Sequence, residues 1–133
     1  MTKLIITVAP TGSVPTKKHT PYIPIRPDEI IQEGILCEKS GASIIHIHAR
    51  NPVDETPSTD FQIFREIYQG LKQETDLIIQ ISTGGRAGMQ DEKRSERLSL
   101  EPEMASSTTG SVTFPSSVYA NRPDLITAVA TDM

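Results

Sequence analysis

The sequence has few of the residues that would indicate disulfides, a large aromatic core or a membrane span. Among its 133 residues there is one cysteine and no tryptophan, and aromatic residues make up 5%. Cys37 therefore cannot form an intrachain disulfide, which indicates a reducing compartment, and we expect a cytoplasmic protein. The apolar stretch at residues 4–8 is too short for a signal peptide or a transmembrane helix, so we expect no membrane partner.

The sequence also lacks a strong excess of either charge. Thirteen Lys and Arg residues stand against 17 Asp and Glu residues, which gives a net charge of -4. Proteins that bind nucleic acids usually carry a basic face, so this balance argues against a nucleic-acid partner. With 36% hydrophobic residues, the composition is that of a soluble globular protein, and a small-molecule ligand is the expected partner.

Strand and helix patterns alternate along the chain. Apolar strand patterns occur at residues 4–8, 43–50 and 77–82, and a weaker one occurs at 103–107; helical patterns cover 27–40, 60–72, about 90–98 and 123–133. Strands that are apolar on both faces and separated by helices belong to a parallel sheet. Two α/β architectures fit this order, an open doubly wound sheet and a (β/α)8 barrel.

Small polar or metal-binding residues follow each predicted strand. In both architectures, ligands bind beyond the carboxyl ends of the strands. Four successive strand ends of this kind indicate one continuous rim, which favours the (β/α)8 TIM barrel. The residues are Thr11 and Gly12 after the first strand, His46 and His48 in the second, Ser82, Gly84 and Gly85 at the third, and Ser106, Thr108 and Gly110 at the fourth.

The most informative of these strand ends is 43–50, where two histidines alternate with isoleucines. Residues two apart in a strand point to the same face, so His46 and His48 lie side by side while Ile45 and Ile47 pack on the other face. Two neighbouring imidazoles can bind one metal ion and leave positions open for further ligands. A hydrogen-bonded histidine pair on a half-buried strand fits the same spacing, so both interpretations stay open.

An ordered set of motifs resembles the β-keto acid cleavage enzyme family, whose founding activity is the 3-keto-5-aminohexanoate cleavage enzyme of lysine fermentation. The motifs occur at residues 7–12, 24–30, 41–50, 80–85, 101–106, 109–114 and 121–125. The resemblance covers essentially the whole chain. It implies a zinc-dependent (β/α)8 barrel that condenses a β-keto acid with acetyl-CoA, then cleaves the product to acetoacetate and a new CoA thioester.

The resemblance also implies roles for individual residues. By matching motif, His46 and His48 are two zinc ligands, and the zinc polarises the keto oxygen of the substrate. Ser82 and Gly85 match positions that hold the substrate carboxylate, which suits a hydroxyl beside a glycine N–H. Polar contacts to the substrate are implied at two further positions, Ser106 and Thr108.

Three positions depart from the family pattern. Val14 stands where the lysine-pathway enzyme carries an acidic residue that binds the substrate's ammonium group, so a neutral or apolar acyl group is favoured here. Thr108 and Thr113 both replace asparagine, which leaves the identity of the β-keto acid open.

Arg50 completes the motif His-x-His-x-Arg and has two interpretations. It can bind an anion at the rim, or it can form a salt bridge with Asp54 or Glu55 in the loop that follows.

The length limits what can be assigned. A (β/α)8 barrel takes about 250 residues, so residues 1–133 are expected to supply about the first four βα units of a single barrel domain, with no second domain. The family's zinc-binding glutamate, its neighbouring acid and its substrate-binding arginine match nothing here, and no catalytic residue is assignable. We expect a truncated chain, weakly active or inactive alone, and a homo-oligomer because its edge strands are open. The alternative is a non-catalytic half barrel that persists by oligomerising or by binding a partner chain.

Overall fold

The structure is a computed structural model that describes residues 4–84, 94–115 and 117–133. Four strands, two α-helices and a short 3-10 helix come first, followed by a hairpin and a third α-helix. In chain order the elements are β1 (Thr7–Val8), α1 (Pro27–Lys39), β2 (Ile44–Ile47), α2 (Phe61–Glu74), β3 (Ile78–Ser82), the 3-10 helix (Glu96–Leu100), β4 (Met104–Ser106), β5 (Val112–Phe114), β6 (Ser117–Tyr119) and α3 (Pro123–Asp132).

Strands β1 to β4 form one parallel sheet in the order β1-β2-β3-β4. A doubly wound sheet reverses its strand order at a switch point, whereas a barrel adds each new strand beside the previous one. The observed order has no reversal, so the predicted barrel class is confirmed over these four units. In this register His46 lies beside Gln80 of β3.

One face of the sheet packs against α1 and α2 and forms the core. Ile45 and Ile47 of β2 are buried, as are Ile79 and Ile81 of β3. The residues that cover them from α2 are Phe64, Ile67 and Leu71. Since side chains alternate along a strand, the residues between these isoleucines, His46 and Gln80 among them, face the opposite side of the sheet.

Two glycines allow α1 and α2 to approach each other closely. A Cβ atom added at Gly34 would lie 2.4 Å from Cδ2 of Leu71, and one added at Gly70 would lie 2.3 Å from Cδ1 of Ile31. A larger residue at either position would require the side chain of Leu71 or of Ile31 on the facing helix to shift.

The helix boundaries follow local signals in the sequence. Asp60 caps α2 by accepting a hydrogen bond from the Gln62 N–H at 2.8 Å. Pro27 opens α1, and Gly41 follows its end with a φ of 99°, which glycine adopts without strain. The predictions for α1 and α2 are confirmed to within two residues.

Three elements differ from the sequence-based predictions. The predicted buried strand at 4–8 is wrong over its first half: β1 covers only Thr7–Val8, and Leu4 and Ile5 are 81% and 70% exposed. Strand β1 is an edge strand that pairs on one side only, so no neighbour covers these residues. The predicted helix at 90–98 lies partly outside the described residues, and its described end is the 3-10 helix. The hairpin β5–β6 was not predicted, because each of its strands has only three residues, too few to show a strand pattern in the sequence.

No helix in the described ranges combines the length and the apolar character that a membrane span needs.

Glu29 stabilises the start of α1, and its effect should depend on pH. Its carboxylate accepts hydrogen bonds from the Ile25 and Arg26 N–H groups and from the Lys17 ammonium. Partial burial raises the pKa of Glu29, but these hydrogen bonds outweigh it and lower the pKa from its ordinary 4.5 to about 2. The stabilisation is therefore present above pH 4.5 and is lost as the pH falls through about 2.

We expect Glu29→Gln to lower the free energy of unfolding by about 1 to 2 kcal/mol at pH 7. The difference from the unsubstituted chain should shrink below pH 4.5, as denaturant unfolding at a series of pH values would show. Glu66→Gln, at an exposed position of α2, is the control. A deficit that stays constant down to pH 2 would contradict the assignment.

Candidate metal and substrate site

A cavity of about 850 Å³ lies beyond the carboxyl ends of β2, β3 and β4. It is lined by residues from all three strand ends and by the hairpin β5–β6, which reaches it with Phe114 and Tyr119. The predicted site residues that line it are His46, His48, Ser82, Ser106 and Thr108. Gly85 lies outside the described residues, and its neighbour Gly84 lines the cavity.

The two histidines face each other in this cavity. His46 Nε2 and His48 Nε2 are 3.1 Å apart, and the ring planes meet at 70°. On its other side, His46 Nδ1 lies 2.7 Å from Oε1 of Gln80. Both imidazoles therefore present their Nε2 atoms to one point, while a neighbouring strand orients one of the rings.

His48 lies in surroundings that keep it uncharged. Burial, and then the nearby charges of His46, Arg97 and Arg50, together lower its pKa from 6.5 to about 4. A neutral imidazole is the form that binds a metal ion. His48 is thus in the charge state that a metal ligand needs at neutral pH.

The histidine pair fits a zinc ion as two of its ligands. Two Zn–N bonds of about 2.0 to 2.1 Å at a tetrahedral angle place their nitrogens about 3.3 Å apart, and the observed separation is 3.1 Å. Within the described ranges, no group of three or more His, Cys, Asp or Glu residues is arranged to hold a metal. Further ligands would have to come from elsewhere.

Ser82 ends β3, which pairs with the histidine strand β2, and Ser106 ends β4 on the far side of β3. Ser82 Oγ accepts a hydrogen bond from the Gly84 N–H at 3.2 Å, so the Ser82 hydroxyl and Gly84 lie together at the end of β3. Thr83 Oγ1 donates to the Ser106 carbonyl and joins the ends of β3 and β4. Thr108 lies on the exposed side of the cavity.

Arg97 is a cavity residue that the sequence did not reveal. It is buried, its guanidinium lies 4.4 Å from the centre of the Phe64 ring, and Nη1 donates to the Ser82 carbonyl at 2.7 Å. Burial, and then the charge of Arg94, lower the pKa of Arg97 to about 10. In the sequence it belongs to a charged segment that resembles a solvated helix, and nothing distinguishes it from its exposed neighbours.

Arg94 fastens the hairpin to the rim of the cavity. It is buried and donates to the Thr83 carbonyl at 3.0 Å, to Tyr119 Oη at 2.6 Å and to Asn121 Oδ1 at 2.7 Å. Its guanidinium also lies 5.1 Å from the centre of the Tyr119 ring. One side chain thus links the end of β3 to β6 and to Asn121, two residues before α3.

Arg50 is buried beneath the rim and contacts backbone carbonyls. Its guanidinium donates to the Gly12 carbonyl at 3.1 Å, to the Pro15 carbonyl at 2.8 Å and, through Nε, to the Glu55 carbonyl at 2.8 Å. Arg50 therefore contacts Glu55, one of the two predicted salt-bridge partners, at its backbone carbonyl. The Glu55 carboxylate instead accepts a hydrogen bond from the Lys17 N–H. These contacts hold two loops together, and anion binding by Arg50 stays a prediction.

Val14 lines the cavity near its opening and is 64% exposed. An apolar side chain there offers no partner to an ammonium group.

Comparison with known proteins agrees with this geometry. A family model described as beta-keto acid cleavage enzyme matches residues 3–133. The chain belongs to the β-keto acid cleavage enzyme family. The 3-oxoadipate:acetyl-CoA acetyltransferase of Cupriavidus necator is 44% identical to this family member over 130 residues, which are 97% of this chain and 45% of that protein. The 3-keto-5-aminohexanoate cleavage enzyme of Fusobacterium nucleatum is 44% identical over 115 residues, 86% of this chain and 42% of that protein.

Solved structures support the fold of this β-keto acid cleavage family member. The ternary complex of ObcA with C4-CoA adduct and oxalate matches 81% of this chain and 28% of that chain, with a TM-score of 0.74 and 25% identity. The chain spans less than half the length of the curated relatives it matches.

Proposed function

We propose that this chain forms the N-terminal half of the barrel of a zinc-dependent β-keto acid cleavage enzyme. The reaction converts a β-keto acid and acetyl-CoA to acetoacetate and an acyl-CoA. The observation that carries the proposal is the convergence of His46 Nε2 and His48 Nε2 in the cavity at the strand ends. The family membership supports the reaction class.

In the proposed reaction, C2 of the β-keto acid loses a proton and forms a bond to the acetyl carbonyl carbon, whose bond to the CoA sulfur breaks. The freed CoA thiolate then bonds to C3, the C2–C3 bond breaks, and C2 takes up a proton, so that acetoacetate and the new thioester leave. His46 and His48 would hold the zinc, which supplies a Lewis acid for the keto oxygen at C3. Ser82 and Gly85 would bind the carboxylate, and Ser106 and Thr108 would contact the rest of the substrate.

The substrate class follows from the opening of the cavity. Val14 contributes an apolar surface where a cationic substrate would need a carboxylate, so we infer that the acyl group is neutral or apolar. The names of the relatives, which include a 3-oxoadipate acetyltransferase and a 3-keto-5-aminohexanoate cleavage enzyme, show that the family accepts different β-keto acids.

The remaining expectations concern assembly. The sheet of described strands ends in two edges, β1 and β4, and an open parallel edge binds further strands. We infer that residues 1–133 form part of a single barrel domain, and that the completed protein is a cytoplasmic homo-oligomer. Because the described residues offer two histidines to the metal, the 133 residues alone should be weakly active or inactive.

The test compares the 133-residue chain with the same chain co-expressed with the second half of the Cupriavidus necator relative. Zinc content and acetoacetate release are measured for both samples, with acetyl-CoA and 3-oxohexanoate, a β-keto acid that carries an apolar acyl chain. We expect zinc and acetoacetate only after complementation. Acetoacetate release from the 133 residues alone would overturn the predicted inactivity, and zinc-free protein after complementation would overturn the zinc enzyme.

The second candidate is a non-catalytic half barrel that binds another chain. It is favoured by the exposed apolar side chains near the open edges, among them Ile5 on the approach to β1 and Met104 in β4. In that case complementation would restore a stable complex without zinc and without acetoacetate.

A further inference from the structure

Gln80 contacts the histidine pair from the neighbouring strand. It lies directly beside His46 in the parallel register of β2 and β3, so both side chains project from the same face of the sheet. Its Oε1 atom is 2.7 Å from His46 Nδ1, and both side chains are half-buried. We propose that Gln80 is a positioning residue that holds His46 in its Nδ1–H tautomer and directs its Nε2 lone pair into the cavity.

The tautomer follows from which atoms can donate. A carboxamide oxygen only accepts hydrogen bonds, so the short contact to Gln80 requires the hydrogen to be on His46 Nδ1. A neutral imidazole carries one ring hydrogen, which leaves His46 Nε2 as an acceptor with its lone pair available. This is the atom that faces His48.

The tautomer of His48 in the metal-free chain is determined in turn. Its Nε2 lies 3.1 Å from His46 Nε2, and two nitrogens at this distance need one hydrogen between them. Since His46 Nε2 is the acceptor, His48 Nε2 is the donor. A single chain of hydrogen bonds then runs from His48 through His46 to Gln80, and it crosses two strands.

This chain of hydrogen bonds gives the two histidines different roles when a metal binds, which rests on the proposed zinc function. His46 already presents its Nε2 lone pair, held by Gln80, and needs no rearrangement. His48 must move its hydrogen from Nε2 to Nδ1. An acceptor behind a ligating histidine also makes that ligand more basic, and removing such an acceptor weakens metal binding by about 10- to 100-fold.

The first measurement needs no metal. Long-range ¹H–¹⁵N NMR of the 133-residue chain identifies the protonated nitrogen of each histidine ring. We expect Nδ1–H for His46 and Nε2–H for His48, and we expect Gln80→Leu to shift His46 towards its Nε2–H form. Gln80→Glu keeps an acceptor in the same place and should keep the Nδ1–H form. Gln73→Leu, at an exposed position of α2, should change neither ring.

The second measurement is titration with Zn²⁺ of the same variants, each complemented with the second half of the Cupriavidus necator relative. Gln80→Leu should weaken zinc binding by about 10- to 100-fold, and Gln80→Glu should bind at least as tightly as the unsubstituted chain. An Nε2–H His46 in the unsubstituted chain, or a Gln80→Glu variant that loses the Nδ1–H form, would overturn the assignment. Expected tautomers without zinc binding in any variant would leave Gln80 as the residue that orients His46 and would instead count against the proposed zinc enzyme.

Discussion

Replacing His46 with alanine should abolish stoichiometric zinc binding and acetoacetate formation in the complemented protein. Its Nε2 is one of the two ring nitrogens that converge in the cavity, and within the described ranges no group of three metal-binding residues could compensate. With one histidine left, zinc would keep too few protein ligands for a catalytic site, which ordinarily has three. The measurement is metal analysis after gel filtration, together with an assay for acetoacetate.

The matched control is His19→Ala. His19 is the remaining histidine of the chain. It is exposed in the first loop, where its Nδ1 lies 3.0 Å from Thr16 Oγ1. It does not line the cavity, so this variant should keep its zinc and its activity. Unchanged zinc content in His46→Ala would remove His46 from the ligand set, and equal losses in both variants would indicate a general effect on folding.

Replacing Arg50 with methionine should lower the free energy of unfolding by about 3 kcal/mol. Methionine keeps most of the apolar stem but donates no hydrogen bond. The carbonyl groups of Gly12, Pro15 and Glu55 would then lose a charged donor in a buried place. Denaturant unfolding followed by circular dichroism measures the change.

Arg65→Met serves as the control, because Arg65 is exposed on α2 and its loss should change the unfolding free energy by less than about 0.5 kcal/mol. The experiment also separates the two interpretations of Arg50. If Arg50 bound the substrate as an anion site, Arg50→Met would keep its stability and lose substrate affinity. We expect instead that Arg50→Met lowers the free energy of unfolding.

Three buried arginines hold the backbone around the cavity. Arg50 binds the loop after β1 to the loop after β2, Arg97 donates to the carbonyl of Ser82, and Arg94 donates to that of Thr83. A guanidinium can hold several carbonyls at once, which suits the irregular backbone at strand ends. The cavity therefore depends on these side chains for its shape as well as on the strands.

Much of the fold could be predicted because its signals are local. The N-cap residue Asp60 and the helical spacing of Phe64, Ile67 and Leu71 predict α2. The alternation of isoleucines with other residues predicts β2. These patterns depend on neighbours within one turn or one strand. The exposed start of β1 could not be predicted in the same way, because residues 4–6 have a strand composition and only the missing neighbour decides their exposure.

The site residues also divide into those that a local pattern predicts and those that it does not. His46 and His48 could be placed together from their spacing, since residues two apart share a strand face. Gln80, Arg94 and Arg97 could not be identified, because a lone glutamine in a strand or an arginine in a charged segment has no distinguishing sequence signal. Each of them contacts a residue that is distant along the chain. Gln80 is 34 residues from His46, Arg94 is 25 residues from Tyr119, and Arg97 is 15 residues from Ser82.

By itself, the sequence determined the alternation of strands and helices, the histidine pair and the family resemblance, because each of these depends on short patterns of neighbouring residues. Only the tertiary structure decided which side chains surround the pair. The parallel register put Gln80 beside His46, and folding buried Arg97 under the cavity and turned Arg50 towards backbone carbonyls. The physical reason is that strand pairing and burial depend on contacts between distant segments, which no local pattern encodes.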